Sequence, residues 1–230
     1  MKTVIVIGSS SGFGKGIADR MEREGHRVVR LSRTENNFDV RDLDMGIGSA
    51  KADMLPDADV IVYAAGIARD CRHIADGEPL DWSDVFETNA LGLLNMLRHA
   101  TPGLKRTKGL MIYLGSIASQ LAYEGGADYC ASKAAARTIM QTYRAEIAGT
   151  GIRATLIEPG LGATNFQVNR YHGDLDKAKK HYGDIKQLEP ADLADAVVWL
   201  MSLPWHVNID ELVIKPTEQV THGKLRKIKE

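Results

Sequence analysis

Short, uninterrupted apolar runs alternate along the chain with stretches in which apolar residues recur at helical spacing. The runs are Thr3 to Ile7, Arg27 to Leu31, Val60 to Tyr63, Leu110 to Leu114, Arg153 to Ile157 and Leu212 to Ile214. Their length and β-branched content predict strands buried on both faces. Between them, Trp82 to Ala100, Asp128 to Ala148 and Ala191 to Leu203 carry helical patterns, and Ile17, Ala18 and Met21 share one helical face after the first strand. Strands alternating with helices predict an α/β fold, a parallel sheet covered on both faces and wound through right-handed crossovers. A possible extra strand at Asn37 to Val40 follows Leu31 too closely for a crossover helix, so that edge of the sheet is expected to be abbreviated.

With 230 residues and no internal repeat, linker or low-complexity segment, the pattern reads as a single domain, residues 1–230. The 29 basic and 30 acidic side chains nearly cancel, which gives no reason to expect nucleic acid or an anionic membrane as partner. Cys71 and Cys130 are too few for a disulfide framework and suit a reducing compartment. No run reaches the length of a membrane span and no signal-peptide core precedes the first strand, so a cytoplasmic location is expected. The histidines show no metal-ligand spacing, and no metal is expected.

Ligands of such sheets bind beyond the carboxyl ends of the strands, where small and polar residues gather here. The first strand runs into Gly8-Ser-Ser-Ser-Gly-Phe-Gly14, with Ser10, Ser11, Gly12 and Phe13 opening a helix. A helix N-terminus behind a glycine turn offers unpaired N–H groups and a positive dipole end to a phosphate, although the same turn also permits tight packing. Later strands end in Ser32 and Arg33, in Ala64-Ala65-Gly66, in Gly115-Ser116 and in Glu158-Pro159-Gly160.

Tyr129 and Lys133 lie four apart near the start of a helix and share one face, and Ser116 stands just past a strand. A phenol is a poor base near neutrality, and a neighbouring ammonium favours its ionised form. Alone, this spacing also suits an exposed helical pair. Taken with the glycine turn, Ala64-Ala65-Gly66, Asn89 in "TNALG", Ser116, "YCASK" at Tyr129 to Lys133 and Pro159-Gly160, the sequence resembles the short-chain dehydrogenase/reductase family over nearly its whole length. The resemblance implies a Rossmann-like doubly wound sheet and hydride transfer, with Tyr129 as acid or base and Ser116 orienting the substrate oxygen. It further implies that Lys133 binds the nicotinamide ribose and that Asn89 maintains a water-linked proton path to Lys133. Two departures stand out: Ile7 replaces the usual threonine before the first glycine, and Tyr63-Ala64 replaces an asparagine pair, which removes side-chain hydrogen bonds from the cofactor-side loops.

Ser32 occupies the position where an acidic residue would accept from the ribose of NAD, and Arg33 follows it, a pairing that suits the 2′-phosphate of NADP(H). Glu35 is a mild objection to this assignment, and a solvated loop residue is the competing reading of Arg33. Asp39 resembles the family's adenine-contacting aspartate, and Lys15 is expected to add charge at the phosphate turn. The C-terminal third resembles the branch containing NADP-dependent 3-hydroxy acid (serine and allo-threonine) dehydrogenases and a clavaldehyde reductase. That branch implies a small hydroxy acid as substrate, a homotetramer or dimer, and a lid at about residues 161–187. Arg170, the one arginine of the lid, is a candidate partner for a substrate carboxylate, with a solvated surface position as the competing reading. Other functional readings are a reductase of uncharged aldehydes or ketones, and a catalytically silent NADP-binding sensor or scaffold. His172, His181 and the basic tail with Lys224, Arg226, Lys227 and Lys229 read as solvated.

Overall fold

Alternation along each strand sends neighbouring residues to opposite layers. In β1 (Thr3–Ile7), Val4 and Val6 join one core cluster while Ile5 and Ile7 join the other. A computed structural model of the chain describes residues 1–42, 55–182, 185–221 and 224–228. Its sheet holds six parallel strands: β1, β2 (Arg27–Leu31), β3 (Val60–Tyr63), β4 (Leu110–Leu114), β5 (Arg153–Pro159) and β6 (Glu211–Ile214). The order is β2-β1-β3-β4-β5-β6, so the direction of winding reverses at β1 and opens a crevice beyond its carboxyl end.

On one face, α1 (Gly12–Arg23) and α8 (Pro190–Ser202) bury Ile17, Ala18, Met21, Leu193, Val197 and Leu200 against Val4, Val6, Val62 and Ile112. On the other, α4 (Gly92–Thr107) and α5 (Ala127–Glu146) bury Leu93, Met96, Leu97, Met140 and Tyr143 against Ile5, Ile61, Met111 and Leu156. The helical pattern from Trp82 to Ala100 resolves into α3 (Pro79–Phe86), a π-helical turn at Glu87–Leu91, and α4.

Asn37 to Val40 is not a strand. The short α2 (Arg33–Asn36), capped by Ser32, turns the chain, and the Phe38 N–H bonds back to the Ser32 carbonyl at 3.0 Å. Phe38 and Val40 are buried in the second core cluster rather than paired to the sheet edge. Among the described residues, no strand lies beyond β2. The segment after β5 contributes α6 (Phe166–Arg170) and α7 (Leu175–Tyr182).

Candidate active site

A cleft of about 490 Å³ follows the crevice across the carboxyl ends of β1 to β5. Gly8, Ser10, Ser11, Gly12, Phe13, Gly14, Ser32, Arg33, Asp39, Ala65, Gly66, Pro159 and Gly160 all line it, together with Ser116, Tyr129, Lys133 and Arg170. Asn89 lies behind the wall, fully buried. Thus one surface gathers residues separated by most of the sequence.

The phosphate end is built from α1. Its N-cap Ser11 makes no side-chain cap and its first turn holds no acid, so the positive end of the dipole faces the cleft uncompensated by either. Gly8 and Gly14 serve packing. Gly8 has φ +83°, and a Cβ on it would lie 2.6 Å from the Ala65 nitrogen, while one on Gly14 would lie 2.2 Å from the Gly8 carbonyl oxygen. Lys15 does not reach the phosphate turn as expected: its ammonium donates to Asp19 at 2.6 Å, one turn along an exposed face.

At the adenine end, Arg33 is exposed on the rim. Ser32 lines the cleft, but its hydroxyl donates to the Glu35 carboxylate at 2.9 Å and accepts from the Glu35 N–H at 3.1 Å. The same carboxylate accepts from Ser9 at 2.6 Å. Glu35 thus places its carboxylate on two serine hydroxyls at this end of the cleft, a negative charge that Arg33, exposed on the rim, has to outweigh for a 2′-phosphate to bind. Hydrogen bonds from Arg41, with a smaller contribution from Arg33, hold the Asp39 carboxyl below its ordinary range.

At the reactive end, Ser116 and Tyr129 both line the cleft, and the Ser116 hydroxyl accepts from the Ala118 N–H at 3.1 Å. The Lys133 ammonium donates to the Tyr113 hydroxyl at 3.1 Å and the Leu114 carbonyl at 3.2 Å, and lies 5.8 Å from the Tyr129 ring centre. Burial drives Lys133 down to about 7, and Glu158 opposes that shift. Burial likewise raises Tyr129 above the ordinary phenol value, against lowering by Ser116 and Arg170. The expected lowering of Tyr129 by Lys133 is thus absent in this geometry, because the ammonium points to Tyr113 and the β4 carbonyl.

Asn89 sits on the π-helical turn and clamps the loop after β3. Its Oδ1 accepts from the Ile67 N–H and its Nδ2 donates to the Ile67 carbonyl, both at 2.9 Å. Nδ2 also donates to Ser132 at 3.0 Å. The substitution at Tyr63 does not leave this region loose: its hydroxyl donates to the Thr88 carbonyl at 2.9 Å, and its ring packs on Tyr113 at 5.8 Å.

Arg170 is 2% exposed, which overturns the solvated reading. Its guanidinium donates to Tyr123 at 2.7 Å and Gln167 at 3.3 Å and stacks 5.0 Å from the Tyr129 ring centre, with Phe166 and Tyr123 completing the surround. Its buried Nε has no partner. His172 and the side chains of Lys224, Arg226 and Lys227 are exposed as read, whereas Lys229 and the His181 side chain lie outside the described residues. No group of metal-ligating side chains occurs among the described residues, and no described helix is long and apolar enough to cross a membrane. Sequence reasoning missed Tyr123, Thr164, Asn165, Phe166 and Gln219, which also line the cleft. None carries a charge or motif that marks it.

The profile of the family described as short chain dehydrogenase matches residues 39–174. The chain belongs to the short-chain dehydrogenase family. Short-chain dehydrogenases are oxidoreductases, and the site above lies where this fold places its chemistry. Among curated members, the NADP-dependent 3-hydroxy acid dehydrogenase YdfG of Escherichia coli (strain K12) is 35% identical, over 96% of this chain and 97% of that protein. The serine 3-dehydrogenase of Agrobacterium fabrum (strain C58) is 31% identical, over 96% of each. Of solved short-chain dehydrogenases, the closed form of a serine dehydrogenase complexed with NADP+ superposes with a TM-score of 0.84 at 31% identity, covering 99% of this chain and all of that one.

Proposed function

We propose that the chain is an NADP(H)-dependent oxidoreductase that moves a hydride between nicotinamide and a small 3-hydroxy acid or its 3-oxo form. The observation carrying the substrate class is Arg170: a buried guanidinium on the wall of the cleft, stacked on Tyr129, that pairs with no carboxylate among the described residues. Asp128 feels the Arg170 charge but forms no ion pair with it, so the buried cation is incompletely compensated, which is costly, and a substrate carboxylate supplies the missing partner.

The residues present fit the dinucleotide. The α1 N-terminus and Ser10 to Gly14 face its pyrophosphate, Arg33 its 2′-phosphate, Asp39 its adenine, and Gly66, Lys133 and the Pro159-Gly160 turn its nicotinamide half. Bound nicotinamide supplies or accepts the hydride. Tyr129 gives or takes the proton at the substrate oxygen, and Ser116 orients that oxygen by hydrogen bond. On turning from Tyr113 toward the phenol, 5.8 Å from its ring, Lys133 would stabilise the ionised form, and Asn89 fixes the loop that walls off the site. Residues 161–187, with α6 packed on Tyr129, act as the lid that excludes water. Free Cys71 and Cys130 agree with a reducing cytoplasm, and the exposed Leu80, Leu91 and Leu94 on and beside α3 and α4 support a homo-oligomeric contact there.

The test is a screen with NADPH and NADP+ over 3-hydroxy and 3-oxo acids, serine, aldehydes and cyclic ketones, run beside Tyr129→Phe. The expected result is turnover of an acid, lost by about 10²–10⁴-fold in the variant while NADPH binding persists. Turnover confined to uncharged carbonyls would remove the acid assignment. Tight NADPH binding with no turnover of any compound would favour a silent sensor.

A further inference from the structure

The segment after β5 leaves and rejoins the body through two stems that meet each other. The Leu188 N–H donates to the Leu161 carbonyl at 3.0 Å, and the Ala163 N–H donates to the Leu188 carbonyl at 2.7 Å. Two adjacent residues beyond β6 reach these stems. Gln219 Oε1 accepts from the Leu161 N–H at 2.8 Å, and Glu218 Oε2 accepts from the Lys186 N–H at 2.9 Å. Gln219 is 2% exposed, and its Oε1 presses so closely on Gly160 that a Cβ there would lie 2.2 Å away.

The pair is itself held from both sides. The Gln219 N–H donates to the Pro216 carbonyl at 2.9 Å, and past a turn the Arg226 N–H donates to the Glu218 carbonyl at 2.8 Å. Glu218 Oε1 accepts from the Ile228 N–H at 2.7 Å. The backbone at Arg226 and Ile228 therefore folds against Glu218, although their side chains lie in solvent.

We propose that Glu218 and Gln219 are positioning residues, a clasp in the C-terminal segment that fixes both stems of residues 161–187 and so holds α6, with Arg170, against Tyr129. Neither touches the reacting atoms. They act through the Gly160-Leu161 turn and Lys186. Because the two acceptors are neighbours in sequence, they reinforce from outside the segment the direct pairing of its stems at Leu161, Ala163 and Leu188. A buried N–H left without its acceptor loses its place, and the stem at Leu161 then opens. The role in substrate binding rests on the proposed active site, whereas the clasp does not.

Limited proteolysis of the NADPH-bound full chain tests the clasp without any substrate. In Gln219→Ala and in Glu218→Ala, cleavage within residues 161–187 is expected to be at least fivefold faster than in the parent, with cleavage elsewhere unchanged. Glu218→Gln keeps the accepting oxygen without adding a buried charge and is expected to retain the parental rate. With a substrate in hand, the alanine variants raise KM for an acid and, by loosening Arg170 from Tyr129, lower kcat as well. Parental cleavage in both alanine variants overturns the proposal. If Gln219→Ala does not fold, the solvent-side Glu218→Ala decides. If no compound is turned over while the cleavage pattern appears, the enzymatic reading fails and the clasp stands.

Discussion

The Lys133 ammonium donates to the Tyr113 hydroxyl at 3.1 Å, and that hydroxyl in turn lies 3.5 Å from the main-chain carbonyl of Asn89. Tyr113 is fully buried, and burial raises its hydroxyl well above the ordinary phenol value, so it stays protonated and accepts from the lysine as a neutral group. Its acceptor favours the charged form of Lys133, which opposes the burial that drives the lysine toward neutrality.

Tyr113→Phe removes that acceptor and little volume. The charged lysine is then less favoured, so less of it is available to turn toward Tyr129 and stabilise the phenolate. For alcohol oxidation, which needs the ionised phenol, the rising limb of the pH–rate profile is expected to move to higher pH, with kcat near neutrality falling roughly tenfold, the scale of one hydrogen bond to a charged group. A profile superimposable on the parent's would show that Tyr113 only fills space.

The strands were legible because a β-branched run buried on both faces has few alternatives, and the Tyr129 and Lys133 spacing was legible because four residues on a helix fix a shared face. Asn37 to Val40 misled because Phe38 and Val40 are as apolar as strand residues. Their burial comes from packing over the sheet after the Ser32-capped turn, which periodicity does not distinguish from pairing. The π-helical turn leaves the apolar spacing of Trp82 to Ala100 intact, and only the hydroxyls of Tyr63 and Tyr113 beside its carbonyls reveal it. Arg170 and Gln219 were illegible for another reason. A polar side chain in a loop is solvated by default, and the tertiary partners that bury these two lie about 50 or more residues away in sequence.

Arg33 carries the cofactor prediction, since the Ser32 hydroxyl donates to Glu35 instead. Replacing Arg33 with Asp is expected to weaken NADP+ binding by roughly 1.5–3 kcal/mol, the loss of a charge-assisted bond plus repulsion, and to affect NAD+ much less. Titration calorimetry of the parent and variant with both dinucleotides measures this. Tighter binding of NAD+ than NADP+ by the parent would remove the assignment.

Lys133 also makes stability depend on pH. Its folded value is near 7 against about 10.4 for an unfolded lysine, so between these values the unfolded chain binds more protons and the parent gains stability as pH rises. Below about 7 both states hold the proton and the cost of the buried charge is fully felt. Lys133→Met has no such dependence. The melting temperature of the variant minus that of the parent is therefore expected to be largest at pH 7 and below. Above pH 7 it should shrink by about 1.4 kcal/mol per unit, or about 3 °C for a chain of this size. A difference constant from pH 6 to 9 would show that Lys133 is not held near neutrality by burial.

Arg170 separates charge recognition from packing. Its guanidinium fills the space between Tyr123, Phe166 and Tyr129, so truncation opens a gap as well as removing a cation. Arg170→Met retains most of the volume without the charge, whereas Arg170→Ala removes both. If the cation receives a carboxylate, both variants raise KM for a 3-hydroxy acid by roughly tenfold to a hundredfold, the scale of a charge-assisted hydrogen bond. For an uncharged aldehyde or ketone, Arg170→Met is expected to leave KM nearly unchanged, so selectivity for acids over neutral carbonyls collapses. Arg170→Met also removes the positive charge that lowers Tyr129, so kcat falls for both classes alike and only the KM ratio reports recognition. Equal changes in KM for acid and neutral substrates would assign Arg170 to the packing of α6 on Tyr129 and leave the substrate carboxylate without its partner.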